Sequence, residues 1–155
     1  MNTNNFDTLF LDRDGVINKL RINDYVKKWE EFEFLPGVLD ALRLLSKQFK
    51  RIIVVTNQRG VGKGMMTEDM LQNIHDKMIA AIENAGGRID KVYYCTAISE
   101  NDPDRKPNTG MALQAKKDFP DIDFSKSAVI GDSESDKIFA QKTGMKYYSS
   151  VYEFI

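Results

Sequence analysis

Cysteine is nearly missing from this chain of 155 residues, which carries Cys95 and no other. A lone thiol excludes an internal disulfide framework and any zinc site built from several thiolates. Long apolar runs are missing too. The longest aliphatic stretch, Ile52-Ile53-Val54-Val55, falls far short of the roughly 20 residues a membrane helix needs. The first residues, Met1-Asn2-Thr3-Asn4-Asn5, are polar and lack the apolar core of a signal peptide. Nor is there an excess of one charge. Lys plus Arg number 22 against 23 for Asp plus Glu, leaving a net charge of −1. That balance argues against a dedicated binder of nucleic acid or of an anionic membrane. Internal repeats, low-complexity tracts and linkers are also lacking. What remains is an ordinary composition, 42% hydrophobic and 29% charged, expected to fold as one domain over residues 1–155 in the cytoplasm, without a membrane partner.

What is present is organised. Apolar runs rich in β-branched and aromatic residues fall at 8–11, 51–55, 89–94 and 127–130, with a weaker one at 145–148. They read as continuous rather than alternating, the pattern of strands covered on both faces. Helix signatures lie between them. Val38, Leu39, Leu42 and Leu45 follow Pro36. Thr67 is a candidate N-cap for a helix carrying Met70, Ile74, Met78 and Ile82 and ended by Gly86-Gly87. Met111, Leu113 and Ala115 mark a third helix, and Ile138, Phe139 and Ala140 a fourth that ends at Gly144. Strand and helix in alternation predict an α/β fold, a Rossmann-like parallel sheet with helices on both faces and no large cap domain.

In such sheets ligands bind beyond the carboxyl ends of the strands. There the chain places Asp12-Arg13-Asp14-Gly15-Val16-Ile17-Asn18, Thr56-Asn57-Gln58-Arg59-Gly60, Arg105-Lys106-Pro107 and Gly131-Asp132-Ser133-Glu134-Ser135-Asp136. Asp12, Asp14, Asp132 and Asp136 would crowd carboxylates into one space, which demands counter-charge. Lys106 supplies part of it, and a hard divalent cation, Mg²⁺ above all, supplies the rest. Aspartates at i and i+2 past a strand can divide the work: Asp12 as nucleophile, Asp14 as general acid and then base. Thr56, Asn57 and Lys106 offer a hydroxyl, an amide and a fixed cation to phosphoryl oxygens. Phosphoryl transfer is the chemistry this set fits.

These segments, in this order, resemble the haloacid dehalogenase (HAD) superfamily of aspartate-nucleophile phosphatases, and within it the group of heptose bisphosphate and histidinol-phosphate phosphatases. Phe34-Leu35-Pro36-Gly37-Val38 and Gly110-Met111 fit the group as well, so that the likeness covers most of the chain. The resemblance implies Asp12 as nucleophile and Asp14 as acid/base, with Mg²⁺ held by the Asp12 carboxylate, the Asp14 carbonyl and Asp132. It implies Thr56 and Lys106 on the transferring phosphoryl group, with Asn57 close by. Arg105 would contact a more distant part of the substrate, and Asp136 would orient Lys106 or a metal-bound water. The implied function is a Mg²⁺-dependent phosphomonoesterase working through an aspartyl phosphate, its substrate a small metabolite such as a heptose 1,7-bisphosphate or a related sugar phosphate. Histidinol phosphate is the alternative substrate, and a phospho-accepting receiver domain the alternative class. Removal of 3'-phosphates from nucleic acid ends is a further enzyme option, which the net charge disfavours.

Many members of the group carry a zinc loop, Cys-x-His and then Cys-x-Cys before Arg-Lys-Pro. Here Ala97, Asp102 and Asp104 stand where the other ligands would be, so no zinc is expected and the loop should rely on its own packing. The segments 19–33 and 96–108 are the candidate substrate-recognition stretches, and a monomer is expected. The remaining features have plainer readings. Gly60, Gly62 and Gly64 read as a flexible entry to the next helix, and His75 as a partly packed helix residue. Cys95 reads as a small buried residue. Tyr25, Trp29, Phe32 and Phe34 read as packing a loop onto the core, with Tyr25 within reach of substrate.

Overall fold

A computed structural model describes residues 6–154, so the reading of the first five residues lies outside it. Five strands form one sheet: β1 (Thr8–Leu11), β2 (Arg51–Asn57), β3 (Lys91–Cys95), β4 (Ala128–Ile130) and β5 (Lys146–Tyr148). All pair in parallel, in the order β3-β2-β1-β4-β5. The helices are α1 (Val38–Gln48), α2 (Arg59–Gly62), α3 (Glu68–Asn84), α4 (Gly110–Asp118) and α5 (Glu134–Thr143).

Alternation along the strands sorts the core into two layers. Leu9 and Leu11 of β1 join Ile52 and Val54 of β2 under α1 and α3. Phe10, Ile53 and Val55 point the other way, where Met111, Ala112 and Ala115 of α4 and Phe139 and Ala140 of α5 cover them. The doubly covered parallel sheet expected above is the fold observed, and no inserted domain interrupts the described residues. Among them no helix is long and apolar enough to cross a membrane.

Helix ends match their signals. The Thr67 hydroxyl accepts from the Met70 amide at 3.1 Å, and Gly144 closes α5 in the left-handed region at φ 77°. Three expectations need correction. Met70 is exposed, because the face of α3 that meets the sheet runs through Leu71, Ile74, His75, Met78 and Ile82. Leu113 is exposed for the same reason, the buried face of α4 being Met111, Ala112 and Ala115. The third strand starts at Lys91 rather than 89: the Asp90 carboxylate takes the Ile52 amide at 2.8 Å and so replaces a ladder bond.

Because β1 lies mid-sheet, the chain runs outward to β2 and β3 and then returns to β4 on the other side. The direction reverses between β1 and β4, and the loops after those two strands carry Asp12 and Asp132. That reversal is where open α/β sheets bind ligands.

Candidate active site

The cleft at this switch point has a volume of about 260 Å³. Asp12, Asp14, Asn57, Lys106, Asp132, Ser133 and Ser135 line it, together with Leu20, Arg21, Asp24, Tyr25 and Val26. Of the two candidate recognition stretches, 19–33 supplies a wall, whereas 96–108 contributes only Lys106. Tyr25 therefore belongs to the cleft, while Trp29 stacks on Phe32 at 5.0 Å between ring centres and packs the loop down.

Local backbone geometry presents the aspartates. Asp12 continues the ladder by one residue, its amide donating to Ile130 O at 2.9 Å, and the chain then folds back. The amides of Val16 and Ile17 both donate to Arg13 O, at 3.1 and 2.8 Å. This tight turn puts Asp12 and Asp14 side by side in the cleft.

Lys106 is the buried counter-charge. Its Nζ lies 3.1 Å from Asp12 Oδ1 and 2.6 Å from Asp136 Oδ1. Its position is fixed by Asn57, whose Oδ1 accepts from the Lys106 amide at 3.0 Å and whose Nδ2 donates to the Lys106 carbonyl at 3.1 Å. Asp136 has two duties, since its Oδ2 also accepts from the Ser133 amide at 3.3 Å while its own amide donates to the Ser133 hydroxyl at 3.4 Å, a capping box for α5. Gly131 leaves room for it: a Cβ there would sit 2.2 Å from the Asp136 side chain.

The charges repel as expected. Burial, with Asp136 and Asp14 adding to it against Lys106, pushes the Asp12 carboxyl up to about 7. Burial and Asp136 also raise Asp132. Asp14 differs. Burial opposes its charge too, but Arg13 and hydrogen bonds from Asn18 and Gln58 outweigh it and hold the carboxyl below its ordinary range. Asp12, Asp132 and Asp136 each bring a carboxylate oxygen to within 4.8 Å of the others. Hard oxygen donors under mutual repulsion, beside an open cleft, fit Mg²⁺.

Three predicted site residues sit outside the cleft lining: Asp136, buried against Lys106, and then Thr56 and Arg105. Thr56 is fully buried, and its hydroxyl accepts from Gln58 Nε2 at 2.9 Å. Arg105 is half-buried, with Nη1 sheltered and unpartnered. Asn57 lines the cleft, but with its amide committed to the Lys106 backbone.

Sequence reasoning missed the residues gathered around Asp14. Arg13 Nη2 and Asn18 Nδ2 donate to its Oδ1 at 2.9 and 2.8 Å, and Gln58 Nε2 donates to its Oδ2 at 2.9 Å. His75 is no partly packed helix residue. It is 1% exposed and bonded to Arg13. Its place between Leu71 and Met78 on the inner face of α3 was the available signal. Gly60 and Gly62 are likewise packed rather than flexible: a Cβ on Gly62 would lie 2.1 Å from Thr96 O, and one on Gly60 3.0 Å from the Tyr25 ring. In the 96–108 segment, Asn108 Nδ2 donates to the Glu100 and Asp102 carbonyls at 2.9 Å, so hydrogen bonds of its own hold that loop.

Fold and site together define a phosphatase of the haloacid dehalogenase superfamily. The chain belongs to the polynucleotide kinase 3 phosphatase family, whose model matches residues 7–154. It is 42% identical over 129 residues to D-glycero-α-D-manno-heptose-1,7-bisphosphate 7-phosphatase of Mycobacterium bovis, a match covering 83% of this chain and 68% of that one. It is 39% identical over 145 residues to the corresponding β-anomer enzyme of Rhodopseudomonas palustris, covering 88% and 78%. Among solved structures, D,D-heptose 1,7-bisphosphate phosphatase from B. bronchiseptica, complexed with magnesium and phosphate, superposes with a TM-score of 0.83 at 32% identity, over 91% of this chain and 78% of that one.

Proposed function

We propose that this phosphatase is Mg²⁺-dependent and removes a phosphate from a heptose 1,7-bisphosphate or a closely related sugar phosphate. The observation that carries the chemistry is the convergence of Asp12, Asp14, Lys106 and Asp132 on one cleft, with Lys106 Nζ 3.1 Å from the Asp12 carboxylate. The names of the relatives support the substrate class.

Asp12 is the nucleophile. One of its carboxylate oxygens attacks phosphorus as the bond from phosphorus to the ester oxygen breaks, and the departing oxygen takes a proton from Asp14. Asp14, now ionised, removes a proton from water as the water oxygen attacks phosphorus and the bond to Asp12 breaks. Inorganic phosphate leaves, and Asp14 again holds the proton. The resting site keeps Asp14 in its base form through Arg13, Asn18 and Gln58, and an anionic phosphoryl group arriving beside it raises its affinity for the proton the acid role needs.

Lys106 and Thr56 answer the charge on the phosphoryl oxygens, Lys106 through Nζ and Thr56 through the hydroxyl proton that the bond accepted from Gln58 leaves free. Asn57 acts by anchoring Lys106, and Asp136 by aiming it. Arg105 would have to swing out of its half-buried place, where Nη1 is sheltered, to meet the remote phosphate of a bisphosphate. The Asp12 carboxylate, the Asp14 carbonyl and Asp132 would hold Mg²⁺. When bound, it neutralises the crowded carboxylates and the phosphoryl charge.

The test is phosphate release in Mg²⁺ across both anomers of heptose 1,7-bisphosphate, hexose phosphates, histidinol phosphate and a 3'-phosphorylated oligonucleotide. The expected result is one heptose bisphosphate with kcat/KM far above the rest. The oligonucleotide as preferred substrate, with a steep salt dependence, would overturn the sugar assignment and leave the chemistry standing.

A further inference from the structure

Arg13 is the largest fully buried side chain among the described residues, and a buried guanidinium needs partners. Its two terminal nitrogens each have one, whereas Nε is buried without a hydrogen bond. Nη2 donates to Asp14 Oδ1 at 2.9 Å, and Nη1 bonds His75 Nε2 at 3.1 Å, across 62 residues of sequence. The Phe32 ring lies 5.7 Å from the guanidinium carbon. A guanidinium can only donate, so Nε2 must be the accepting nitrogen of a neutral imidazole whose proton sits on Nδ1. Burial, with the Arg13 charge adding to it, keeps the ring neutral.

The pairing has a geometric consequence. The Arg13 main chain is pinned by the turn that follows β1, but its side chain leaves the cleft and ends against α3, where His75 receives it. Asp14 Oδ1 carries two donors and Oδ2 one, which leaves Oδ2 freer to exchange a proton with substrate or water. Which oxygen faces the chemistry thus depends on where the guanidinium sits. We propose that His75 is a positioning residue for phosphoryl transfer: acting through Arg13, it fixes the Asp14 carboxyl in the orientation that delivers its proton to the leaving oxygen.

The inference rests on Asp14 as the acid/base of the proposed function, and one experiment separates the two. kcat/KM covers the steps up to formation of the phospho-enzyme, and it is measured on heptose 1,7-bisphosphate and on 4-nitrophenyl phosphate, whose leaving group needs no proton. His75→Leu should lower it about 10- to 100-fold on the sugar phosphate, part of the usual worth of general acid catalysis. On 4-nitrophenyl phosphate it should fall less than about threefold. His75→Gln, which keeps an acceptor, should restore most of the loss. Equal losses on the two substrates, or no loss, would overturn the proposal. Should His75→Leu fail to fold because it leaves Arg13 unpaired, the double variant Arg13→Met, His75→Leu removes the buried charge as well. The same leaving-group dependence is expected of it, and an equal loss on both substrates counts against the proposal. A wild-type enzyme inactive on both substrates would instead strike at the proposed function itself.

Discussion

Gly15 and Asp132 approach so closely that a Cβ on Gly15 would lie 1.9 Å from Asp132 Oδ2. The loops after β1 and β4 meet here with nothing between them, and Gly15 also sits at φ +87°, a conformation costly for any residue with a side chain. Gly15→Ala must therefore push Asp132 away from Asp12 or twist the turn that carries Asp14. A misplacement near 1 Å costs about 100-fold in rate, so kcat should fall at least that far. Circular dichroism should report an intact sheet. Near-normal turnover in that variant would mean that Asp132 has no precise place in the site.

The raised Asp12 carboxyl makes stability depend jointly on pH and metal. Its ordinary value is 3.8, and in the folded protein it is pushed up to about 7. Between those values the folded metal-free chain binds the proton that the unfolded chain has released. This group's contribution to stability therefore falls as pH rises through the window. Mg²⁺ favours the ionised carboxylate and reverses that loss. The rise in Tm on adding Mg²⁺ should be larger at pH 8 than at pH 5, and an equal rise at both would contradict the linkage.

Asp136 tests whether aim matters for the cation. Asp136→Asn keeps a side chain able to cap α5 but removes the charge that Lys106 Nζ meets at 2.6 Å. A charge-assisted hydrogen bond is worth about 1.5–3 kcal/mol, so kcat should drop roughly 10- to 100-fold with little change in KM. Steady-state kinetics on the preferred substrate decides it.

Asn57 should separate stability from chemistry differently. Asn57→Ala deletes both bonds to the Lys106 backbone. At about 1 kcal/mol each, the loss is about 2 kcal/mol, or roughly 4–8 °C in Tm, accompanied by slower turnover as Lys106 loosens. An unchanged Tm would show that the clamp is not what holds that loop.

Much of this architecture was legible in the chain. The strands announce themselves because both faces are covered, so runs such as Ile52 to Val55 carry no polar interruption, and Asp12, Asp14, Lys106 and Asp132 follow directly from reading the strand ends. Less legible was whatever depends on contact between distant segments. His75 and Arg13 lie 62 residues apart, and neither periodicity nor charge states that an arginine will turn inward. Asn57 looks like a phosphate ligand from its neighbours, and its reciprocal bonds with Lys106 emerge only once two loops meet. Gly60 and Gly62 read as flexible because their tight neighbours, Tyr25 and Thr96, come from elsewhere in the chain.

Covalent catalysis by Asp12 is the centre of the account. Turnover on the preferred substrate with Mg²⁺ can be quenched in acid and the protein reduced with borohydride, which converts an aspartyl phosphate to homoserine. Mass spectrometry should then find homoserine at position 12 in the wild type and none in Asp12→Asn, which should also be inactive. Homoserine at another aspartate, or an Asp12→Asn variant that still turns over, would contradict it.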